Sequence, residues 1–341
     1  MTLVSNPLSP EDFLELACKI PILDVRSPAE FRKGHIPGAI SLPLFNDQER
    51  AVVGTAYAKK GRDAAIREGL KIAGPKLVSF VETAGAVAKN KEILVHCWRG
   101  GMRSEAMAWL LQFSGLTTHV LQGGYKTYRH FIQESFAAGP PVVVLGGMTG
   151  SGKTELLQYL SSQNEQVVDL EGLANHKGSA FGALGQPDQP AQEQFENDLA
   201  AEWMGLDPSK PVWLEDESRN IGKVILPESL FLKMTRARVI CIEMDFNNRV
   251  DRLVREYGSF DPNALSSIII KIQKRIGGDT AGTAMKAIES NDIRGAVEII
   301  LRYYDKTYSY GLSKRVNDKL TRVSFAEFRE GFTELCKEME I

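Results

Sequence analysis

Two short stretches of the 341-residue chain combine residue types and spacings suited to group transfer. The first, HCWRGGMRS (His96 to Ser104), follows the apolar run EILV and precedes EAMAWLL, which reads as a helix. A cysteine at a strand end thus meets two glycines, two arginines and a helix start. Such a turn can aim successive N–H groups at the Cys97 sulfur, and the helix adds its dipole. Arg99 and Arg103 add positive charge, so every feature favours thiolate over thiol. The same cradle suits a transferred anion such as sulfane sulfur, a selenium species or phosphate. A buried inert thiol is the commoner fate of a cysteine; Cys18 and Cys241, in apolar runs, and Cys336, on a helix-like face, are read that way.

The second stretch, GGMTGSGKT, places Gly147 to Thr154 in the pattern GxxxxGK[ST] between the strand-like VVVLG and the helix-like ELLQYL. Gly147, Gly150, Ser151 and Gly152 let backbone N–H groups point inward as an anion nest at a helix N-terminus. Lys153 neutralises phosphate oxygens, and Thr154 can ligate magnesium. PVWLEDES (211–218) reads as the partner strand, with Asp216 or Glu215 placed to hold the magnesium shell. The loop specifies a phosphate or diphosphate and leaves ATP, GTP or another diphosphate open.

The elements that must carry these loops alternate. PILDVR is a strand, and SPAEFRKG a capped helix with Ser27 at the cap, Pro28 at its first position and Gly34 as stop. Strand and helix patterns continue to THVLQGGYKTY, where a strand and a turn are expected. AAGPP marks a joint, and a second alternating run starts at Val142. The expected fold class is α/β: a parallel-sheet domain over 1–138, then a P-loop α/β domain over 139–341 that turns mostly helical from about 246.

Composition fits a soluble protein, 43% apolar and 25% charged, with a net charge of −2. No run approaches the ~20 apolar residues of a membrane span, and acidic residues stand where a signal peptide would be basic. Cytoplasm and no membrane partner are expected. Four scattered cysteines without a CxxC pair argue against a zinc site or a disulfide framework.

ILDVRSPAEFRKGHIPGAISLP (22–43) together with HCWRGGMRS resembles a rhodanese domain, over roughly residues 10–135. This resemblance implies that Cys97 carries sulfur or selenium as a persulfide or selenyl-sulfide. The rhodanese-like segment is followed directly by a P-loop. With GTAYAKKGRDAA (54–65), GGYKTYR (123–129), DLEGLANHKGSAFG (169–182), LEDESRNIG (214–222) and YYDKTYSY (303–310), the chain is similar to the tRNA 2-selenouridine synthase family. Some members carry another cysteine where this chain has His96, which favours a single-cysteine mechanism here.

The resemblance implies two steps on the wobble 2-thiouridine of a tRNA anticodon loop. Geranyl diphosphate alkylates the sulfur, then selenophosphate delivers selenium and geranylthiol leaves. These are co-substrates; no tightly bound cofactor is implied, and a selenophosphate-producing enzyme becomes a partner. The P-loop would take the diphosphate. His176, Lys177, Ser179 and Arg219 become ligand or RNA contacts, and His35 is read as structural. Arg249, Arg252 and Arg255 recur at i, i+3 and i+6, and residues 302–322 hold six basic against two acidic side chains among tyrosines 303, 304, 308 and 310. Basic groups there would meet phosphates while Tyr304 and its neighbours stack on bases. An ATP-dependent P-loop kinase or NTPase with a regulatory or sulfur-carrying rhodanese module, and a scaffold without chemistry, are the competing readings.

Overall fold

The protein is described by a computed structural model that covers residues 6–312 and 319–332. Two compact units divide the chain: residues 1–135 with 191–201, and 136–190 with 202–341.

The first unit contains β1 (Asn6–Leu8), α1 (Pro10–Ala17), β2 (Ile22–Asp24), α2 (Pro28–Lys33), β3 (Ile40–Ser41) and α3 (Asp47–Lys60). It continues with α4 (Arg62–Ala73), α5 (Leu77–Val87), β4 (Glu92–His96), α6 (Met102–Phe113), β5 (Thr117–Leu121) and α7 (Gly124–Ser135). The strands form one parallel sheet in the order β1-β5-β4-β2-β3. Ile93, Leu94 and Val95 are all 0% exposed, as a central strand covered on both faces requires. Ser27 and Glu30 close a capping box on α2, so the cap expected from SPAEF is present. The turn expected after β5 falls at Gln122 and Gly123, and the rest of GGYKTYRH opens α7.

Residues 191–201, which sequence reading assigned to the second domain, pack in this first unit. Asn197 donates to the His35 carbonyl at 2.7 Å and to the Tyr125 hydroxyl at 2.8 Å. Arg26 forks onto Asp24 in the interior and lies 3.7 Å over the Tyr125 ring. His35 bonds through its backbone and stacks on Phe31, a structural place.

The second unit begins with β6 (Val142–Gly147), α8 (Lys153–Ser162), β7 (Gln166–Val167), α9 (Leu170–Leu173), α10 (Gln192–Met204) and β8 (Val212–Glu215). Of α10, only its end belongs here, where Trp203 meets Phe136. A short hairpin, β9 (Asn220–Ile221) and β10 (Val224–Ile225), leads to α11 (Glu228–Arg236) and β11 (Arg238–Glu243). Four helices follow: α12 (Phe246–Tyr257), α13 (Pro262–Ile276), α14 (Gly278–Glu289) and α15 (Ile293–Leu312). The chain then returns to the sheet as β12 (Leu320–Ser324) and ends, among the described residues, with α16 (Phe325–Glu330).

The sheet order is β12-β11-β6-β8-β7, all parallel. Helicity from 246 onward is therefore interrupted: β12 pairs with β11 along five residues, from Val239–Leu320 to Glu243–Ser324. Its main-chain bonds cover what would otherwise be an open edge of β11. Trp213, Leu145, Leu156, Ile240 and Phe328 form the core beneath the sheet. Leu265, Ile269, Ile272, Ala284, Ile288 and Ile300 form a separate core among α13, α14 and α15. No helix among the described residues is long and apolar enough to cross a membrane.

Candidate functional site

In the first unit, β4 delivers Cys97 at its end. The sulfur is 3.2 Å from the Ser104 hydroxyl and 3.9 Å from the Gly101 carbonyl, and Cys97 is 3% exposed. Tyr125 and Lys126, at the start of α7, donate backbone N–H groups to the Cys97 and Trp98 carbonyls at 2.8 and 3.0 Å. Gly124, with φ +63°, allows that approach: a Cβ there would stand 2.8 Å from the Arg99 nitrogen. α6 starts at Met102, directly after the loop, with no side-chain cap.

Arg103 departs from expectation. Its guanidinium forks onto Glu30 at 2.8 and 3.4 Å instead of serving the thiol alone. Burial works against ionisation of Glu30, but the Arg103 guanidinium and the Ser27 amide outweigh it and hold the carboxyl at about 2. Arg99 is exposed on the loop. His96 is fully buried, and burial lowers its pKa, so a neutral imidazole precedes the cysteine. Among the other cysteines, Cys241 is buried and Cys18 exposed, while Cys336 lies outside the described residues.

In the second unit, the chain leaves β6 at Gly147 and enters α8 at Lys153, so the phosphate loop has its strand and its helix. Gly150 and Gly152 take φ of +81° and +86°, left-handed values that favour glycine. A Cβ on Gly152 would also stand 2.6 Å from the Phe325 ring. Lys153 Nζ folds back onto the Gly147 carbonyl at 3.1 Å. Ser151 is 0% exposed, and its hydroxyl has no hydrogen-bond partner among the described residues. A cleft of about 940 Å³ opens over this loop, lined also by Thr154, Lys177, Ser179, Asp216, Arg219 and Arg252.

The two candidates for the second carboxylate separate. Glu215 is fully buried, accepts the Leu170 amide at 3.0 Å, and burial pushes its pKa well up. Asp216 lines the cleft and accepts the Tyr308 hydroxyl at 2.9 Å; that hydroxyl accepts the Gly147 N–H at 2.6 Å. Thr154 and Asp216 both line the cleft, a hydroxyl and a carboxylate whose hard oxygens fit the donor chemistry of a magnesium ion.

Several sequence-derived contacts need correction. Arg249 is 3% exposed: it forks onto Asp305 at 2.8 and 2.7 Å and donates to the Thr149 carbonyl at 3.2 Å. It braces the phosphate loop from within and does not face RNA. His176 is 8% exposed and packs between Gly182 and Gly222, where burial lowers its pKa; it does not line the cleft. Tyr304 and Tyr308 are half-buried, line the cleft and are tied down through their hydroxyls. Tyr304 accepts the Ala180 N–H at 3.2 Å, and Tyr308 bridges strand and loop. Lys177 is ion-paired with Glu256, and Arg252 with Glu155 at 2.5 Å. Arg219 is half exposed, with Glu228 at 3.9 Å. Of the basic run at 302–322, residues 313–318 lie outside the described residues.

Two further features escaped sequence reading. Glu171 and Glu217 share a hydrogen bond beside Lys153, where burial first and then Glu171 push Glu217 up to about 8. An apolar cavity of about 60 Å³ adjoins the cleft and shares Thr149, Ser179, Leu253, Tyr257 and Tyr304 with it.

A parallel sheet with a glycine nest between its strand and helix, a lysine at the first position of that helix and a carboxylate just after the neighbouring strand β8 define the second unit as a P-loop domain. Residues 140–338, more than half of the chain, match the family described as the tRNA 2-selenouridine synthase AAA domain, and the chain belongs to that family. Residues 9–130 match the rhodanese-like domain. A tRNA 2-selenouridine synthase of Nitrosomonas europaea is 38% identical over 245 residues, 70% of this chain and 63% of that relative. The chain thus matches somewhat less than two thirds of that relative's length. Among solved structures, an N-terminal domain from Clostridium difficile 630 is 38% identical with a TM-score of 0.36, over 37% of this chain and 98% of that one. A rhodanese-related protein from Thermoplasma volcanium is 20% identical with a TM-score of 0.24, over 37% and 92%.

Proposed function

We propose that this protein replaces sulfur by selenium at C2 of the wobble 2-thiouridine of tRNA, in two steps. In the first, the C–O bond of geranyl diphosphate breaks and its electron pair leaves with diphosphate. A C–S bond forms from a sulfur lone pair, and the N3 proton is lost as N3 becomes doubly bonded to C2. The sulfur is then a leaving thiolate, and C2 is electrophilic. In the second, the selenium of selenophosphate forms a C–Se bond at C2 as the C–S bond breaks and geranylthiol departs. Water then cleaves the Se–P bond, phosphate leaves, and N3 regains its proton as C2 becomes doubly bonded to selenium.

The observation that carries this reading is the built phosphate cradle: the Gly147–Thr154 nest, the unpartnered Ser151 hydroxyl, Lys153, and Asp216 across the cleft. It suits a diphosphate leaving group, whose charge grows as the C–O bond breaks. Thr154 and Asp216 would hold a magnesium ion, which supplies further charge neutralisation when bound. Cys97, with Arg99 exposed beside it and Arg103 set by Glu30, is the group we assign to the selenium step, where it guides the attack of selenium on C2. Lys177, Arg219 and Arg252 on the cleft lining are the cations we assign to tRNA phosphates.

The test is mass analysis of nucleosides from 2-thiouridine tRNA incubated with the protein, geranyl diphosphate and selenophosphate. S-geranyl-2-thiouridine followed by 2-selenouridine supports the reading. ATP turnover without tRNA, and no modified nucleoside, would favour a nucleotide-driven kinase instead.

A further inference from the structure

An apolar cavity lies beside the phosphate cleft. Thr149, Ser179, Leu253, Tyr257 and Tyr304 border both spaces. Beyond them the lining is hydrocarbon: Leu265 and Ile269 from α13, Ile288 from α14, and Ala296 and Ile300 from α15. These side chains are 6% exposed or less, so this wall of the cavity belongs to the helical core. Apolar walls of this kind exclude a nucleobase, whose ring nitrogens and exocyclic groups would go unpaired. A ligand entering from the cleft therefore has an anionic head at the phosphate loop and an apolar tail.

We infer that this cavity receives the distal isoprene unit of the prenyl diphosphate, and that Ala296 and Ile288 set the length of chain the protein accepts. The inference rests on the reading of the cleft as a diphosphate site. Free space of about 60 Å³ takes about four to five water- or methyl-sized groups, one branched five-carbon unit. The proximal unit then lies in the throat between Leu253, Tyr257 and Tyr304. A five-carbon chain would stop in the throat and leave the cavity unfilled. A fifteen-carbon chain would have to displace the packed side chains at its end.

Titration of the full chain with inorganic diphosphate and with dimethylallyl, geranyl and farnesyl diphosphates tests this. The wild-type protein binds geranyl diphosphate about 100- to 1,000-fold tighter than dimethylallyl diphosphate, from the apolar area buried by five further carbons. Ala296→Phe fills the cavity: geranyl diphosphate falls to the affinity of dimethylallyl diphosphate, while inorganic diphosphate binds as before. Ile288→Ala enlarges it and raises farnesyl relative to geranyl diphosphate at least about tenfold. Unchanged geranyl affinity in Ala296→Phe, with diphosphate binding intact, overturns the inference. Should that variant also lose inorganic diphosphate, Ile288→Ala decides, and an unchanged farnesyl-to-geranyl ratio overturns it. A wild-type protein that binds inorganic diphosphate and gains nothing from the prenyl tail contradicts this inference alone. One that binds no diphosphate at all contradicts the diphosphate reading beneath it.

Discussion

The Tyr308 hydroxyl donates to Asp216 at 2.9 Å while accepting the first amide of the phosphate loop, from Gly147, at 2.6 Å. One side chain near the end of α15 thereby holds the carboxylate that follows β8 against the loop that follows β6. Tyr308→Phe removes both bonds and leaves the ring. Affinity for inorganic diphosphate, measured by calorimetry, should fall about 5- to 20-fold, the worth of one to two hydrogen bonds. Unchanged affinity would mean that Tyr308 only fills space.

The Arg249–Asp305 pair makes a second claim about the same helix. Arg249 is nearly fully buried and reaches the Thr149 carbonyl as well. Arg249→Ala leaves Asp305 and that carbonyl without their cation. Denaturant unfolding should show a loss of about 3–5 kcal/mol, the cost of breaking a buried ion pair from one side. An RNA-contacting arginine would instead lower tRNA affinity at unchanged stability.

A pH dependence follows from Glu217. Its carboxyl is raised to about 8 from 4.5, first by burial and then by Glu171. The folded state therefore holds a proton that the unfolded chain has already released. That contribution to stability is fully present below the unfolded pKa and is lost as pH rises through about 8. Urea midpoints taken between about pH 5 and about pH 9 should decline in the wild-type protein, and less so in Glu217→Gln. Equal slopes would contradict the buried pair.

Thiol labelling separates the cysteines. Cys18 is exposed, whereas Cys97 and Cys241 are each 3% exposed. Iodoacetamide followed by peptide mass analysis should modify Cys18 at least about tenfold faster than Cys241, since access governs the rate. Cys97→Ser should abolish selenation of S-geranyl tRNA and leave geranyl transfer intact. Selenation at the wild-type rate would remove Cys97 from the chemistry.

Local signals explain what could be read from the sequence. The phosphate loop was legible because glycine, lysine and threonine at fixed offsets are needed wherever backbone N–H groups wrap phosphate. The α2 cap was legible because Ser27, Pro28 and Glu30 act within one turn. β12 was not, since LTRVS has no long apolar run and owes its strand to pairing with β11, distant in sequence. Arg249 was misplaced because a run of arginines at helical spacing does not say which of them faces the interior. Its partner Asp305 lies 56 residues away. The segment 191–201 carried no signal for its docking, which rests on Asn197, Tyr125 and His35.

The central claim is that the phosphate loop serves the prenyl step and the cysteine loop the selenium step. Lys153→Ala tests it most directly, with two RNAs: one bearing 2-thiouridine and one already S-geranylated. The account predicts that nucleoside mass analysis finds no geranyl transfer to the first and normal conversion of the second to 2-selenouridine. Normal geranylation with failed selenation would contradict it.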